Sequence, residues 1–258
     1  MTAEECVRIF DKQGEAYKEA FQIFLDHTDQ KRNARRWLQQ VVDTLPTKRV
    51  FIDAGAGNGE VTKAFAGAFA RTIAIEPNLY LLKQLQQALP SVEAIALPIL
   101  TAQPPAQADL VLCSHTFYYI PQDQWLEHLR RLVSWMSPTG VTIVVLLNRE
   151  TGGMNMLHYF SGHRFDLRRT GEAFQSQERD RYHVVITTDP AHVDTPDRVK
   201  AYAVAEFFLN SVEMKQTPSR REVEAYLEAN FKTQDGRYRI PVSQDFIEIR
   251  SRATSPHS

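Results

Sequence analysis

RVFIDAGAGNGE at residues 49–60, followed by TIAIEPN at 72–78, decides the fold. An apolar run enters a glycine-rich loop, the loop opens a helical pattern, and a second apolar run ends on an acid. Gly55, Gly57 and Gly59 let backbone approach a ligand closely, while the N–H groups of the helix start point toward it. A dinucleotide loop needs G-x-G-x-x-G, its last glycine packing the helix under a pyrophosphate. Here the spacing is G-x-G-x-G, one residue tighter, which favours a ligand without a pyrophosphate. Glu76 follows roughly 20 residues after the loop, where a carboxylate can accept both hydroxyls of a ribose.

Outward from this stretch, strand and helix patterns alternate. RVFIDA, a helix over 59–70, TIAIE, a helix over 78–88, SVEAIA, ADLVLCS, a helix over 122–136 and GVTIVVLL follow in order. Short, continuous apolar strands between amphipathic helices predict an α/β fold: a doubly wound, mostly parallel sheet covered on both faces. Residues 4–45 read as two helices, because Phe10, Tyr17, Phe21, Phe24 and Leu25, then Trp37, Leu38, Val41, Val42 and Leu45, recur at helical spacing up to Pro46. After Asn148 the rhythm changes to TGGMNMLHYFSGHRF, a strand RYHVVITT, helices near 197–209 and 219–230, and a last strand near 245–250. TPDRV and TPSRREVE predict helix starts with a Thr cap and Pro in the first turn. The expected organisation is an N-terminal helical lid (1–45), a ligand-binding core (46–150), closing strands with a helical cap (151–250) and a flexible tail (251–258).

Composition narrows the function. At 258 residues and net charge −1 the chain has length for one large domain with a cap. Its most basic stretch, KRNARR at 31–36, falls in a helical pattern and reads as a solvated face, so nucleic acid is not expected as a partner. Two cysteines, Cys6 and Cys113, support neither a disulfide framework nor a thiolate metal site, and a reducing, cytoplasmic setting is expected. No run approaches the roughly 20 apolar residues of a membrane span, and MTAEECVRIF lacks the basic start of a signal peptide. A monomer or homodimer acting on a small molecule, without a metal, is the expectation.

The fourth strand of the core leads into Ser114, His115, Phe117, Tyr118 and Tyr119. Ligands of doubly wound sheets bind beyond the carboxyl ends of the strands, so these residues are expected to face the acceptor. His115 is suited to hold an amine or take a proton near neutral pH. From an extended segment Tyr118 and Tyr119 would point to opposite sides. His158 and His163, five apart, lack metal-ligand spacing and read as surface or cap residues.

The loop, Glu76 and the Pro77-Asn78 turn resemble the cofactor motifs of class I S-adenosylmethionine-dependent methyltransferases. Asp53, Asn58 and Pro77 complete the cofactor set that this implies. Many members place Asp after the third strand to bind the adenine amine; this chain has Leu97-Pro98, which moves that role toward Thr101. AYKEAFQIFLDHTDQ, IEP, SHTFYYIP, the Gly-Gly helix after the fifth strand, AEFFLN and DFIEIR, in matching order along nearly the whole chain, resemble histamine N-methyltransferase-like small-molecule methyltransferases. The resemblance implies a seven-stranded sheet, cofactor contacts at Gly55, Glu76, Thr101 and Ser114, aromatic lid residues at Tyr17 and Phe21, and pocket aromatics at Tyr118 and Tyr119. It also implies substrate positions at Gln30, His115 and His158, where relatives carry Glu, Gln and Trp; Pro241 or Val242 stands where an Asn is expected. A changed hydrogen-bonding set rejects the relatives' substrate. The expected reaction is methyl transfer to a small molecule, at nitrogen rather than oxygen, with His115 and Tyr119 orienting or deprotonating the acceptor. The alternative is a cyclase-type enzyme or a binding protein keeping the same pocket.

Overall fold

The computed structural model describes residues 6–10 and 14–252. The expectation of a flexible tail therefore lies outside the described residues from 253 onward. The chain divides into two compact units, one containing most of the sheet (35–146, 167–187 and from 245), the other mainly helical (up to 34, 147–166 and 188–244).

The sheet has seven strands in the spatial order β3-β2-β1-β4-β5-β9-β6: β1 Val50–Ala54, β2 Arg71–Ile75, β3 Glu93–Ile95, β4 Ala108–Ser114, β5 Met136–Leu147, β6 Tyr182–Asp189 and β9 Gln244–Ser251. The β3–β2, β2–β1, β1–β4 and β4–β5 pairs are parallel. All five residues of β1 are buried, as are the first six of β4. Successive side chains alternate between faces, so an unbroken buried run means that both faces are covered. This is the doubly wound arrangement expected. Trp125, Phe51, Phe117, Phe174 and Phe246 are the bulkiest fully buried side chains, all in this unit.

Between the strands run α3 Glu60–Phe65, α4 Leu79–Ala88 and α5 Trp125–Ser134. The helix expected over 59–70 gives way to a 3-10 turn at Ala66–Ala68. The helix expected up to 136 ends earlier, because Met136 already pairs with Ala108 as the first residue of β5. One helix of this unit was not legible at all: α7, Leu167–Glu178, LRRTGEAFQSQE. Its buried stripe is only Leu167, Gly171 and Phe174; a Cβ on Gly171 would stand 2.7 Å from Ile247 of β9, so a glycine that weakens the helical pattern lets the helix lie close on the sheet.

The helical unit contains α1 Glu15–His27, α6 Gly152–Ser161, α8 Arg198–Leu209, α9 Arg220–Phe231 and a two-stranded antiparallel sheet of β7 His192–Thr195 with β8 Tyr238–Pro241. Helix α2, Gln30–Thr44, starts in this unit and continues in the sheet unit. Residues 7–10 carry no helix, against expectation, and Cys6 forms a lone antiparallel bridge with Ser219. Buried Glu206 accepts from the Arg8 backbone N–H at 2.9 Å and from its guanidinium at 2.7 Å, while Asn210 accepts from Phe10 N–H and donates to Arg8 C=O. These bonds hold the segment extended along α8. The Thr-capped starts are also corrected: Asp197 and Ser219 are the N-caps, the latter in a capping box with Glu222, and both Thr-Pro pairs precede the helix. Among the described residues no helix is long and apolar enough to cross a membrane, and no cluster of His, Cys, Asp and Glu is placed to hold a metal.

Candidate cofactor and acceptor site

Parallel registry of β1 with β2, running to Ala54 opposite Ile75, brings the glycine loop and Glu76 to the same end of the sheet. Gly55 and Ala56 both donate their N–H to Ile75 C=O, at 2.7 and 3.1 Å, folding the loop over the end of β2. Gly55, Gly57 and Gly59 all have positive φ, at 75°, 56° and 89°. Their surroundings differ. A Cβ on Gly55 would lie 2.1 Å from Thr116 Oγ1 and one on Gly59 2.8 Å from Leu85 Cγ, whereas one on Gly57 would meet nothing within 4 Å. The open approach to backbone is thus at Gly57.

Glu76 is buried and fixes that opening. Its Oε2 accepts from Gly57 N–H at 3.0 Å and its Oε1 from Asn78 N–H at 2.8 Å. A carboxylate oxygen accepts more than one bond, so both can still take a ribose hydroxyl. Asn78 in turn caps α4, accepting from Tyr80 and Leu81 N–H. Asn58 and Pro77, the other loop and turn residues, are exposed. Asp53 lies fully inside, its carboxylate accepting from Thr62 Oγ1 at 2.6 Å and so tying α3 to β1. Burial pushes its pKa up to about 6, the Thr62 bond opposes this, and the Glu76 charge adds to it. Cys113, in β4, is pushed up to about 12 by burial and stays a thiol.

Ser114 ends β4, half-buried. His115 follows at φ 56°, the one non-glycine residue with positive φ among those described, and donates its N–H to Val145 C=O at 2.9 Å. A left-handed histidine carries local strain that its surroundings must hold. Its ring stacks on Tyr118 at 5.9 Å. The next residues are not extended, as expected, but form a 3-10 turn at Phe117–Tyr119, closed by Tyr119 N–H on Thr116 C=O. Phe117 is buried against Trp125, Tyr118 is half-buried, and Tyr119 is 59% exposed. Desolvation, and then the charge of Glu76, hold the Tyr119 hydroxyl above the usual phenol range. Both influences favour the neutral hydroxyl, which can donate a hydrogen bond. Thr101 is exposed, its hydroxyl turned back onto Pro98 C=O at 3.2 Å.

The remaining expected site residues belong to the helical unit. Tyr17 and Phe21 pack on Phe207, with centroids 5.7 and 5.2 Å apart. Gln30 is 2% exposed and its amide donates to Val242 C=O at 3.0 Å, bracing that backbone. His158 is exposed near the end of α6, a ring nitrogen 3.2 Å from Gly162 C=O. Reading the sequence missed Thr116, since nothing in SHTFYY marks this hydroxyl as the neighbour of Gly55.

A family model described as a methyltransferase domain matches residues 25–200. The chain belongs to this methyltransferase family. The chain is 30% identical over 124 residues to a trans-aconitate 2-methyltransferase of Rhodopseudomonas palustris (strain BisB18), a match covering 47% of each chain. It therefore spans about half the length of that curated relative. Among solved structures, YcgJ of Bacillus subtilis superposes with a TM-score of 0.60 at 13% identity, covering 84% of this chain and 98% of that one. The N-methyltransferase NodS of Bradyrhizobium japonicum WM9, in complex with S-adenosyl-L-homocysteine, superposes with a TM-score of 0.52 at 12% identity, covering 92% and 99%. These two likenesses show the shared fold, and the sheet has the seven strands that the resemblance implied.

Proposed function

We propose that this methyltransferase-family chain binds S-adenosyl-L-methionine at the Gly57–Glu76 end of its sheet and methylates a small-molecule acceptor, at nitrogen. The observation that carries this reading is the fixed, open backbone at Gly57, its N–H held by Glu76 and its Cβ direction empty to 4 Å. Glu76 would hold the ribose and the loop would pass along the methionine part; Asp53 and Glu76 together make this end of the sheet acidic, which suits a cationic sulfonium. When bound, S-adenosylmethionine supplies an electrophilic methyl: the acceptor lone pair forms the new bond, the S–CH3 bond breaks onto sulfur, and S-adenosylhomocysteine leaves. The chain's contribution is positioning and exclusion of water. His115 would orient the acceptor nitrogen and take the proton of the methylated ammonium, and the Tyr118 ring stacked beside it favours that cation until the proton leaves.

Substitution of Gly57 by Val is the direct test. The branched side chain fills the open space and costs about 1–2 kcal/mol for the left-handed backbone, so calorimetric affinity for S-adenosylmethionine should vanish while a cooperative melt persists; unchanged affinity would sink the assignment. Release of S-adenosylhomocysteine in step with a methylated product separates a methyltransferase from a non-methylating protein with the same pocket. A carboxylate oxygen is the second acceptor reading, favoured by the trans-aconitate 2-methyltransferase match. Isotope-labelled methyl donor offered with matched panels of amines and carboxylates decides between them by product mass.

A further inference from the structure

Thr116 stands where the cofactor loop meets the acceptor segment. β1 and β4 are parallel neighbours, with Asp53 opposite Leu112, so Gly55 and Thr116 leave the sheet at the same end. The Thr116 hydroxyl oxygen lies 3.4 Å from the carbonyl oxygens of Ala54 and Gly55 and 3.3 Å from that of Ser114. The hydroxyl is thus shared among three carbonyls, one at the end of β1, one in the loop and one at the end of β4, and it also bonds the Cys113 side chain. The side chain also fills the volume that a Cβ on Gly55 would need, with Oγ1 at 2.1 Å, Cγ2 at 2.6 Å and Cβ at 2.9 Å from that position. Gly55 is required by its neighbour as well as by its φ. The main-chain carbonyl of Thr116 accepts from Tyr119 N–H at 3.0 Å and closes the turn that carries Tyr118 and Tyr119. It directly follows the strained His115.

We propose that Thr116 is a positioning residue that sets the register of the acceptor segment, His115 to Tyr119, against the glycine loop. Its hydroxyl holds the loop, and its carbonyl fixes the aromatic turn, so a displacement of either segment is felt by the other. The consequence for methyl transfer rests on the function proposed above; the mechanical coupling does not. Van der Waals shape is nearly kept in Thr116→Val, which removes the shared proton and places a methyl against three carbonyl oxygens. Thr116→Ser keeps the proton and loses the methyl.

Amide hydrogen exchange of the whole, ligand-free chain reads the coupling. In Thr116→Val the amides of 117–120 should exchange about five- to tenfold faster, the size of effect that one lost hydrogen bond supports. The amides of the loop 55–59 should follow, the α8 amides should keep their wild-type rates, and Thr116→Ser should restore the pattern. Wild-type exchange at 117–120 in the Val variant, an acceleration spread evenly over the chain, or a Ser variant no better than Val would each overturn the inference. Adding S-adenosylhomocysteine to the wild type tests the functional reading separately: protection should appear at 55–59 and extend to 117–120. Absence of any protection counts against the cofactor, whereas protection that stops at 59 counts against the coupling.

Discussion

At the scale of single residues, Asp53 ties stability to pH. Its folded pKa is raised by burial to about 6, above the roughly 3.9 of an unfolded aspartate. A raised folded value means that its stabilising contribution is complete below the unfolded pKa and is lost as pH rises through the folded one. At neutral pH the fold therefore retains a buried charge relieved by Thr62. Asp53→Asn cannot ionise and can still accept from Thr62. Its unfolding free energy, read from denaturant melts, should match the wild type near pH 4 and exceed it increasingly up to pH 7, by up to about 3 kcal/mol. A gap that does not vary with pH would show that Asp53 does not titrate in this range. Glu76 and Asn58 lie in the opening stretch of the sequence and were legible as candidates, but which glycine is open was not. The difference between Gly55, blocked by Thr116, and Gly57, open, depends on a residue about sixty positions away in the chain.

At the scale of elements, α8 organises the helical unit. Seven of its residues are buried, Glu206 among them with no exposed surface, so it has no solvent face of ordinary width. The sequence marks the helix but not why an acid sits in AEFFLN. The answer is the extended segment around Arg8, whose N–H and guanidinium satisfy that carboxylate. Glu206→Gln keeps the volume and weakens a charge-assisted set of bonds, at a cost of about 1–3 kcal/mol. Trypsin should then cut after Arg8 several times faster than in the wild type under native conditions. If the rate of cleavage is unchanged, the segment is held by Asn210 and packing alone.

For the whole molecule the measurable quantity is linkage. A ligand that binds the folded chain and not the unfolded one stabilises by about 2.7 kcal/mol at a hundredfold excess over its Kd. For a chain of this size that is on the order of 5–10 °C in melting temperature. S-adenosylmethionine and S-adenosylhomocysteine should each produce such a shift, and NAD, whose pyrophosphate needs the longer glycine spacing, should produce none. A shift with NAD alone would reverse the assignment of the loop.

By itself the sequence determined the alternation of strands and helices from 47 to 147, because parallel strands buried on both faces need unbroken apolar runs and the loop between the first two needs glycine at fixed positions. Those are local demands, written where they act. Tertiary structure decided what depends on distant partners: the extended run at 7–10, which has apolar spacing but is held by Glu206 and Asn210; α7, whose glycine serves the sheet beneath it; and the short β7–β8 pair, joined across more than forty residues. It also decided the partner of the Gln30 amide, since an amide pairs with a backbone carbonyl as readily as with a ligand, and only the fold brings Val242 C=O within 3.0 Å.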